Sequence, residues 1–234
     1  SIKISYSPNK SERESISKLI NNLDSSIALL QRKLEKMKNI KEFLLNKMFV
    51  SGQVEFPEIR FKYFKDKWNK SKISNIAIIK TGNKDANAMV SFGKYNFYTS
   101  GVKVFKINTY NFEGESVTIA GNGANLGHIK FANGLFDAYQ RTYVLKTIDL
   151  ETKFLFYFLK SNFKKYIKRK ENGGGIPFIV YDDIANFFIK ITNPQETNKI
   201  VNTFSIIDNL IEQTKIKLLK IQNIKNVLIN KMFV

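Results

Sequence analysis

One segment of this chain occurs twice, at positions 184 residues apart. Residues 39–50 return as residues 223–234 with nine of the twelve positions identical, and each copy closes on the run Asn-Lys-Met-Phe-Val. A repeat at this separation indicates that one structural element is used twice, with a different segment placed between the copies. The sequence therefore predicts a repeated outer element and an unrelated middle.

Apolar residues recur every three or four positions through each copy and upstream of it. Their mean spacing of about 3.5 residues is typical of coiled-coil helices. In the first copy they are Ile16, Ile20, Leu23, Ile27, Leu30, Leu34, Met37, Leu44 and Met48. In the second copy they are Ile200, Phe204, Ile207, Ile211, Leu218, Ile221, Leu228 and Met232, with Thr214 at one position. Lysines interrupt both stripes at equivalent positions, Lys41 and Lys225.

Each of the two helices has a recognisable start. Pro8 precedes Ser11-Glu-Arg-Glu14, a capping-box pattern, and Asn193-Pro-Gln-Glu196 combines an N-cap residue with a first-turn proline. A helix of about 38 residues is a rod of roughly 55–60 Å. Four residues widen the stripes near the C-terminal ends: Ile40, Leu45, Ile224 and Ile229. A third surface is expected to cover this widened region.

The middle segment has a different composition, because all twelve glycines lie between Gly52 and Gly175. Runs rich in β-branched and aromatic residues alternate with turn signals and predict strands over 73–79, 95–98, 116–119, 128–131 and 142–145. A helix is predicted from Lys153 to about Lys170. The predicted fold class is α+β, with a mixed α/β domain over 51–192 between long helices in 1–50 and 193–234. We expect close to half of the chain to be helical.

The charge balance favours an anionic partner. The chain carries 38 basic and 20 acidic side chains, a net charge of +18. Lys160, Lys164 and Lys168 share one face of the predicted helix, which suits contact with a nucleic-acid backbone. The further phosphate-contact candidates are Arg169, Lys170, Asn172 and Gly174. The alternative is a solvated lysine face in a lysine-rich protein. A membrane surface is disfavoured, since neither amphipathic helix has a broad basic face beside aromatic anchors.

Several kinds of chemistry are disfavoured by what the sequence contains. There is no cysteine, so no thiol nucleophile or disulfide framework is expected, and the single histidine, His128, has no metal-binding companions. The phosphate-binding and dinucleotide fingerprints are missing. Asp137 with Glu151 and Lys153 is the best metal-dependent nuclease candidate, but such spacings arise by chance. We expect no catalytic residue, metal or cofactor, and a cytoplasmic protein without a membrane span.

Several short motifs in the middle segment, and one at the start of the second long helix, resemble the motifs of a known protein family. They are Phe56-Pro-Glu-Ile-Arg-Phe61 with Trp68, Gly93-Lys-Tyr-Asn-Phe-Tyr-Thr-Ser-Gly101, Gly114-Glu-Ser-Val-Thr-Ile-Ala-Gly-Asn-Gly123, Asn125-Leu-Gly127, Tyr143-Val-Leu145, Gly173-Gly-Gly-Ile-Pro177, Asp183-Ile and Ile191-Thr-Asn-Pro-Gln-Glu196. In this order, between two matched helices, they resemble the specificity (S) subunit of type I restriction–modification systems. Asn96 stands where that family usually has proline. The resemblance covers nearly the whole chain.

The resemblance implies a fold, a function and partners. The two helices would form an antiparallel coiled coil, and the domain between them would recognise double-stranded DNA. Methyltransferase (M) subunits would dock on the helices, aided by Ile40, Leu45, Ile224 and Ile229, and a restriction/translocase (R) subunit would join them. Methylation of adenine N6 and DNA cleavage would belong to those partners. Full-length family members carry two recognition domains, so this chain resembles a half-subunit.

A half-subunit leaves several readings open. Two chains that form a homodimer would present two copies of one domain and read a bipartite inverted repeat. The alternative to an active half-subunit is that the chain is an inactive fragment that serves as a recombination donor. A coiled-coil adaptor without DNA affinity is a third reading, and a stand-alone nuclease is the least favoured.

The resemblance assigns base recognition to loops of the middle domain, and chemistry narrows the choice. Amides, hydroxyls, lysine and arginine beside turns can reach base edges. The candidates are Thr81, Asn83, Lys84, Tyr98, Ser100, Asn122, Asn125, Tyr139, Gln140 and Arg141. The alternative for each is a loop residue that bonds its own backbone.

Overall fold

The structure is a computed structural model, and it describes residues 8–50, 52, 54–168 and 178–232. The chain divides into two compact units. Residues 1–43 and 203–234 make the first unit, here called the helical unit, and residues 44–202 make the second, the sheet unit. About half of the chain is helical, and the α+β fold class is confirmed.

Four α-helices and ten strands lie within the described ranges. The helices are α1 (Lys10–Met48), α2 (Thr152–Lys168), α3 (Tyr181–Ala185) and α4 (Pro194–Met232). The strands are β1 (Asn69–Lys72), β2 (Ala77–Thr81), β3 (Tyr95–Tyr98), β4 (Val104–Ile107), β5 (Phe112–Glu113), β6 (Ser116–Ala120), β7 (Ile129–Ala132), β8 (Leu135–Ala138), β9 (Thr142–Thr147) and β10 (Phe188–Ile191). Among these described helices, none is both long and apolar enough to cross a bilayer.

The starts of the long helices are fixed by asparagine caps. Asn193 Oδ1 accepts a hydrogen bond from the Glu196 backbone N–H at 2.9 Å, and Pro194 opens α4, as the sequence predicted. For α1 the predicted Ser11 capping box is wrong. Asn9 is the cap, because its Oδ1 accepts from the backbone N–H groups of Ser11 (3.0 Å) and Glu12 (3.4 Å). The helix thus begins at Lys10, one residue before the predicted cap.

The helical unit is an antiparallel coiled coil. Lys41 pairs with Asp208, and Lys225 pairs with Asp24, so the residue number rises along one helix as it falls along the other. Every predicted stripe residue within this unit is buried or half-buried, as knobs in a coiled-coil seam are. Leu44, Met48 and Ile200 are also buried or half-buried, but they belong to the sheet unit. The two ion pairs are equivalent under the repeat, because Asp24 and Asp208, like Lys41 and Lys225, are 184 residues apart. The unit therefore has approximate two-fold symmetry, and the lysines that interrupt the stripes are its symmetric cross-links.

The sheet unit contains two four-stranded sheets and a two-stranded ribbon. The first sheet has the order β2-β9-β6-β7 and is antiparallel throughout, whereas the second has the order β4-β3-β8-β5 and includes the parallel pair β3·β8. The ribbon joins β1 to β10, and these strands lie near the two ends of the unit's sequence. Helix α2 packs on the first sheet and buries Phe154, Leu155, Leu159 and Phe163.

The predicted strands have mixed outcomes. The strand over 95–98 is confirmed at both bounds, and those over 116–119 and 142–145 are confirmed with longer C-terminal ends. Residues Ile73–Asn75 form a 3₁₀ turn instead of the start of a strand, and the strand predicted at 128 begins at Ile129. The sequence did not predict β1, β4, β5, β8 and β10. The predicted helix from 153 is α2, and its predicted last two residues lie outside the described ranges.

A buried ion pair joins the start of the sheet unit to its end. Arg60 donates from Nε and Nη2 to the two carboxylate oxygens of Glu196, at 2.7 and 2.8 Å, and Glu196 is fully buried. Thr192 Oγ1 also donates to Glu196. The motifs at opposite ends of the middle segment are therefore in direct contact, through a two-point ion pair in which Glu196 is closed to water and Arg60 is partly exposed.

Candidate nucleic-acid interface

Four loops of the sheet unit meet where several strands end. The Gly82 N–H donates to Thr142 O (3.2 Å), and the Gln140 N–H donates to Lys84 O (2.9 Å). The Gly121 N–H donates to Arg141 O at 2.8 Å. We call this surface the loop edge and define it as residues 81–84, 99–101, 121–125 and 139–141. It brings together polar residues that are up to 60 positions apart in the sequence.

Two glycines allow the loops of the loop edge to approach so closely. A Cβ atom on Gly82 would lie 1.9 Å from Ala138 O, and one on Gly121 would lie 2.6 Å from Arg141 O. Both neighbours are backbone atoms, which cannot move aside as a flexible side chain does. The glycines are therefore required by close packing of the main chain.

Most of the predicted base-contact residues lie on this surface with at least part of the side chain open to solvent. Thr81, Asn83, Gln140 and Arg141 are exposed; Lys84, Ser100, Asn122, Asn125 and Tyr139 are half-buried. Three of them are held by side-chain hydrogen bonds. Ser100 Oγ donates to Asn122 Oδ1 at 2.7 Å, and Asn83 Oδ1 accepts from Asn111 Nδ2 at 2.8 Å. Asn111 was not among the predicted residues, and nothing in its local sequence marks it.

Tyr98 does not belong to this surface, which corrects the prediction for that residue. Only 4% of it is exposed, and its ring packs edge-on against Phe136 with centroids 5.2 Å apart. Burial raises the pKa of its phenol. Tyr98 is the last residue of β3, and the neighbouring Phe97, which faces the opposite side of the strand, is also buried. Both faces of the strand are therefore covered at this end, and the tyrosine has no open side to turn to. Its backbone still takes part, because Tyr98 O accepts from the Tyr139 N–H at 2.9 Å.

A basic cluster lies beside the loop edge. Lys130 on β7 donates from Nζ to Thr99 O at 3.1 Å, and Lys153 on α2 lies with Nζ 5.7 Å from the centre of the Phe131 ring. Burial, with a smaller effect of the nearby Lys160 charge, lowers the pKa of Lys130 to about 8. Burial also lowers the pKa of His128, helped by the charges of Lys160 and Lys130. The sequence predicted Lys160 as a phosphate contact, whereas Lys153 was assigned only to the nuclease candidate and Lys130 was not predicted.

The predicted phosphate-contact strip is only partly described. Lys160, Lys164 and Lys168 are exposed on α2, and Lys160 Nζ lies 5.6 Å from the centre of the Phe156 ring. Arg169, Lys170, Asn172 and Gly174 lie outside the described residues. The face shared by the three lysines follows from their spacing of four residues on a continuous helix.

The nuclease candidate loses its first carboxylate. Asp137 is fully buried, and its oxygens accept from Thr109 Oγ1 (2.9 Å) and from the Ala138 N–H (2.9 Å). This carboxylate ties strand β8 to the segment at Thr109, and it is closed to solvent and does not face a substrate. Within the described parts of the chain, no three acidic or histidine side chains are grouped to hold a metal ion.

The helical unit carries two grooves on its surface that are related by the repeat. The first is lined by Arg32, Glu35, Lys36, Asn39, Ile40 and Phe43, and the second by Ile216, Leu219, Lys220, Asn223, Ile224, Val227 and Leu228. Adding 184 to each residue number of the first groove gives a residue of the second. Ile40 and Ile224 are both 43% exposed, while Phe43 and Val227 are 53% and 52% exposed. Leu45 and Ile229, the other two stripe-widening residues, are half-buried.

Comparison with known proteins places this chain in a family. The family described as "Type I restriction modification DNA specificity domain" matches residues 65–223. The specificity subunit of the type I restriction enzyme EcoDI from Escherichia coli is 35% identical over 157 residues, 67% of this chain and 35% of that protein. The specificity subunit of MjaVIII from Methanocaldococcus jannaschii is 24% identical, over 95% of this chain and 59% of that protein.

Solved structures agree in fold. The S subunit of a type I restriction–modification system from M. genitalium superposes with a TM-score of 0.77 at 18% identity, over 98% of this chain and 62% of that one. The HsdS subunit from Thermoanaerobacter tengcongensis gives 0.60 at 16% identity, over 98% and 60%. This chain thus spans between about a third and three fifths of these relatives' lengths. By the family match over residues 65–223, the chain belongs to the type I restriction modification DNA specificity domain family.

Proposed function

We propose that this chain recognises a specific DNA sequence as the specificity component of a type I restriction–modification enzyme. The observation that carries the proposal is the convergence of four polar loops at the loop edge, on a chain of this family. Three of these loops present an amide or guanidinium side chain: Asn83, Asn122 and Arg141. Such groups make paired hydrogen bonds to adenine or guanine edges in the major groove.

The basic cluster supplies the part of binding that does not depend on sequence. Lys130 and Lys153, with Lys160, Lys164 and Lys168 on α2, would contact phosphates and set the orientation of the domain on the duplex. The net charge of +18 favours the same kind of contact. Substitutions at these lysines are expected to weaken binding to all duplexes alike, whereas changes at Gln140 or Arg141 relax the choice of base at one position.

The helical unit is proposed to dock two methyltransferase subunits, one in each groove. The grooves have the same lysine, asparagine and isoleucine at equivalent positions, and their central apolar residues are equally exposed. Equivalent surfaces related by approximate two-fold symmetry suit two copies of one partner. A restriction/translocase subunit would then bind the assembled complex, and methylation and cleavage would take place on these partners, with this chain non-catalytic.

The target would be bipartite. Two chains that associate as a homodimer would present the same loop edge twice, so an inverted repeat with a fixed spacing is expected. The second reading is that of a silent recombination donor. It predicts that the chain adds no methylation of its own.

Methylome sequencing tests the proposal. The chain is expressed with its cognate methyltransferase in a host that lacks both, and N6-methyladenine is mapped over the genome. The expected result is one new bipartite motif that disappears when this chain is omitted. Arg141→Ala should broaden the motif at one position, while Lys168→Ala should lower methylation at all sites. If the motif is absent although the two proteins copurify, the silent-donor reading is correct.

A further inference from the structure

A half-enclosed cavity of about 380 Å³ lies in the sheet unit, and no residue of the loop edge lines it. Three of its lining residues are lysines, namely Lys70 on β1, Lys190 on β10 and Lys165 on α2. The other described residues around it are apolar, aromatic or amide side chains and one glycine, and they include no carboxylate. A cavity of this size falls within the usual range of small-molecule sites, roughly 300–1,000 Å³.

Two of the lysines repel each other across a strand ladder. Lys70 and Lys190 are direct partners in the antiparallel β1·β10 ribbon, and both line the cavity. Like charges at directly opposite positions destabilise a sheet. Lys70 Nζ lies 3.8 Å from the centre of the Phe188 ring, and Lys190 Nζ donates to Val54 O. Both contacts are with neutral groups, which satisfy a donor without cancelling its charge.

The remaining wall combines a third cation with aromatic rings. Lys165 Nζ donates to Asn46 Oδ1 at 3.4 Å, again a neutral partner. The rings of Tyr166 and Phe187 lie with centroids 4.8 Å apart and close one side of the cavity. Asn162, which is 8% exposed, adds a buried amide to the wall. The side chains of three lysines therefore line a space that also has an apolar, ring-lined side.

We propose that this cavity binds a phosphate group on a nucleotide-sized ligand. A phosphate carries about −1.5 to −2 charges and three acceptor oxygens, so it can bond three lysines and remove the repulsion between Lys70 and Lys190. The ring-lined side would hold the base by stacking and burial. The phosphate belongs either to a free nucleotide or to the DNA backbone. This site goes beyond the recognition role, because it does not use the residues that are assigned to base reading.

Calorimetric titration of the full chain with ATP, AMP and inorganic phosphate tests the proposal, together with anisotropy measurements on a labelled DNA duplex. The test variant is Lys70→Gln with Lys190→Gln. The matched control is Lys215→Gln with Lys217→Gln, which removes the same charge from an exposed part of α4. We expect the test variant to bind the free ligands about tenfold more weakly or worse, and the control to bind them as the original chain does. Phosphate should raise the melting temperature of the original chain and not that of the test variant.

The outcomes separate the two sources and the two proposals. Loss of ATP and phosphate binding with DNA affinity equal to the control assigns the site to a free nucleotide. If free ligands do not bind but the test variant loses DNA affinity beyond the control, the phosphate is that of DNA. If the test variant matches the control both in its binding of free ligands and in its DNA affinity, the anion-site inference is wrong. A failed methylome experiment would instead count against the recognition role and leave these titrations untouched.

Discussion

Individual residues in this protein are constrained mainly by the backbone that surrounds them. Gly82 and Gly121 are fixed by carbonyl oxygens of neighbouring loops, and Lys130 is held between a loop carbonyl and a helix that carries further lysines. Ser100 and Asn122 hold each other at the loop edge. The residues expected to touch DNA thus stand on a closely packed support, and changes to that support have effects that differ from changes to the contacts themselves.

The closely packed glycines give a stability prediction. Gly82→Ala should lower the free energy of unfolding by about 1–3 kcal/mol, since the new methyl group meets the Ala138 carbonyl and the loops must separate. Gly101→Ala is the control in the same loop edge, because its Cβ would lie 3.5 Å from Thr99 Oγ1, an ordinary contact. Urea denaturation followed by Trp68 fluorescence measures both. Equal stability of the two variants would contradict the packing argument.

The lowered pKa of Lys130 gives a pH prediction. In the free protein this amine loses its proton near pH 8, while a bound phosphate would favour the charged form and raise the pKa again. The complex then holds more protons than the free components above about pH 8, so DNA affinity should fall as pH rises from 7 to 9. Lys130→Arg should remove most of that fall, because guanidinium stays charged over this range.

The matched control for this experiment is Lys168→Arg, since Lys168 is an exposed lysine on α2. Its affinity for a fixed duplex, measured by fluorescence anisotropy at constant ionic strength, should keep the pH dependence of the original chain. If the DNA affinity of Lys130→Arg falls with rising pH as much as that of the original chain does, a group other than Lys130 is responsible for the pH dependence.

At the scale of elements, the paired helices depend on two equivalent ion pairs as well as on an apolar seam. The side chains of Lys41 and Lys225 are only 22% and 24% exposed, so their charges are partly removed from water and need their aspartate partners. Exposed pairs such as Lys38 with Glu35 are expected to contribute far less. The lysines that break the stripes therefore specify how the helices align.

Charge reversal tests this alignment. Lys41→Asp should place like charges opposite Asp208 and lower the free energy of unfolding by roughly 1–2 kcal/mol. The double change Lys41→Asp with Asp208→Lys should recover most of the loss, as a double-mutant cycle measured by chemical denaturation would show. Reversal at Lys38 is the control and should change stability by about 0.5 kcal/mol or less. A double variant as unstable as the single one would argue against direct pairing.

At the scale of the whole molecule, the sequence predicted the elements better than their arrangement. The repeat and the stripe located both long helices to within one or two residues, because periodicity over five heptads is a strong local signal. Strand β1 was missed because Asn-Lys-Ser-Lys has no apolar alternation and is extended only through its pairing with β10. Strands β4, β8 and β10 were missed because segments of four residues, each with one charged and three apolar side chains, are ambiguous without their neighbours.

The sequence predicted most of the individual residues of the candidate site, but not that they meet on one surface. Its loops meet through contacts such as Lys84 with Gln140 and Ser100 with Asn122, which depend on strand pairing across distant parts of the chain. Tyr98 was misassigned because the sequence shows a tyrosine beside a turn but not the face of the sheet on which it lies. Lys130 was overlooked because its approach to Thr99 O requires the packed fold.

The two grooves give a prediction about assembly. If each groove docks one methyltransferase subunit, Ile40→Glu should leave the second groove intact and change the complex from two bound subunits to one. Ile40→Glu with Ile224→Glu should abolish docking while the chain still binds DNA. Leu29→Glu is the control, since Leu29 is 64% exposed on α1 and lines neither groove. Native mass spectrometry counts the subunits, and loss of both copies in the single variant would contradict two independent grooves.

The symmetric ion pairs also have a mechanical consequence. Positions 24 and 41, like 208 and 225, are 17 residues apart, a separation of about 25 Å along a helix axis. Sliding one helix past the other by a single heptad, roughly 10 Å, would break both cross-links together and leave four charges beside an apolar seam. Small displacements of one helix along the other are therefore resisted at two distant points at once.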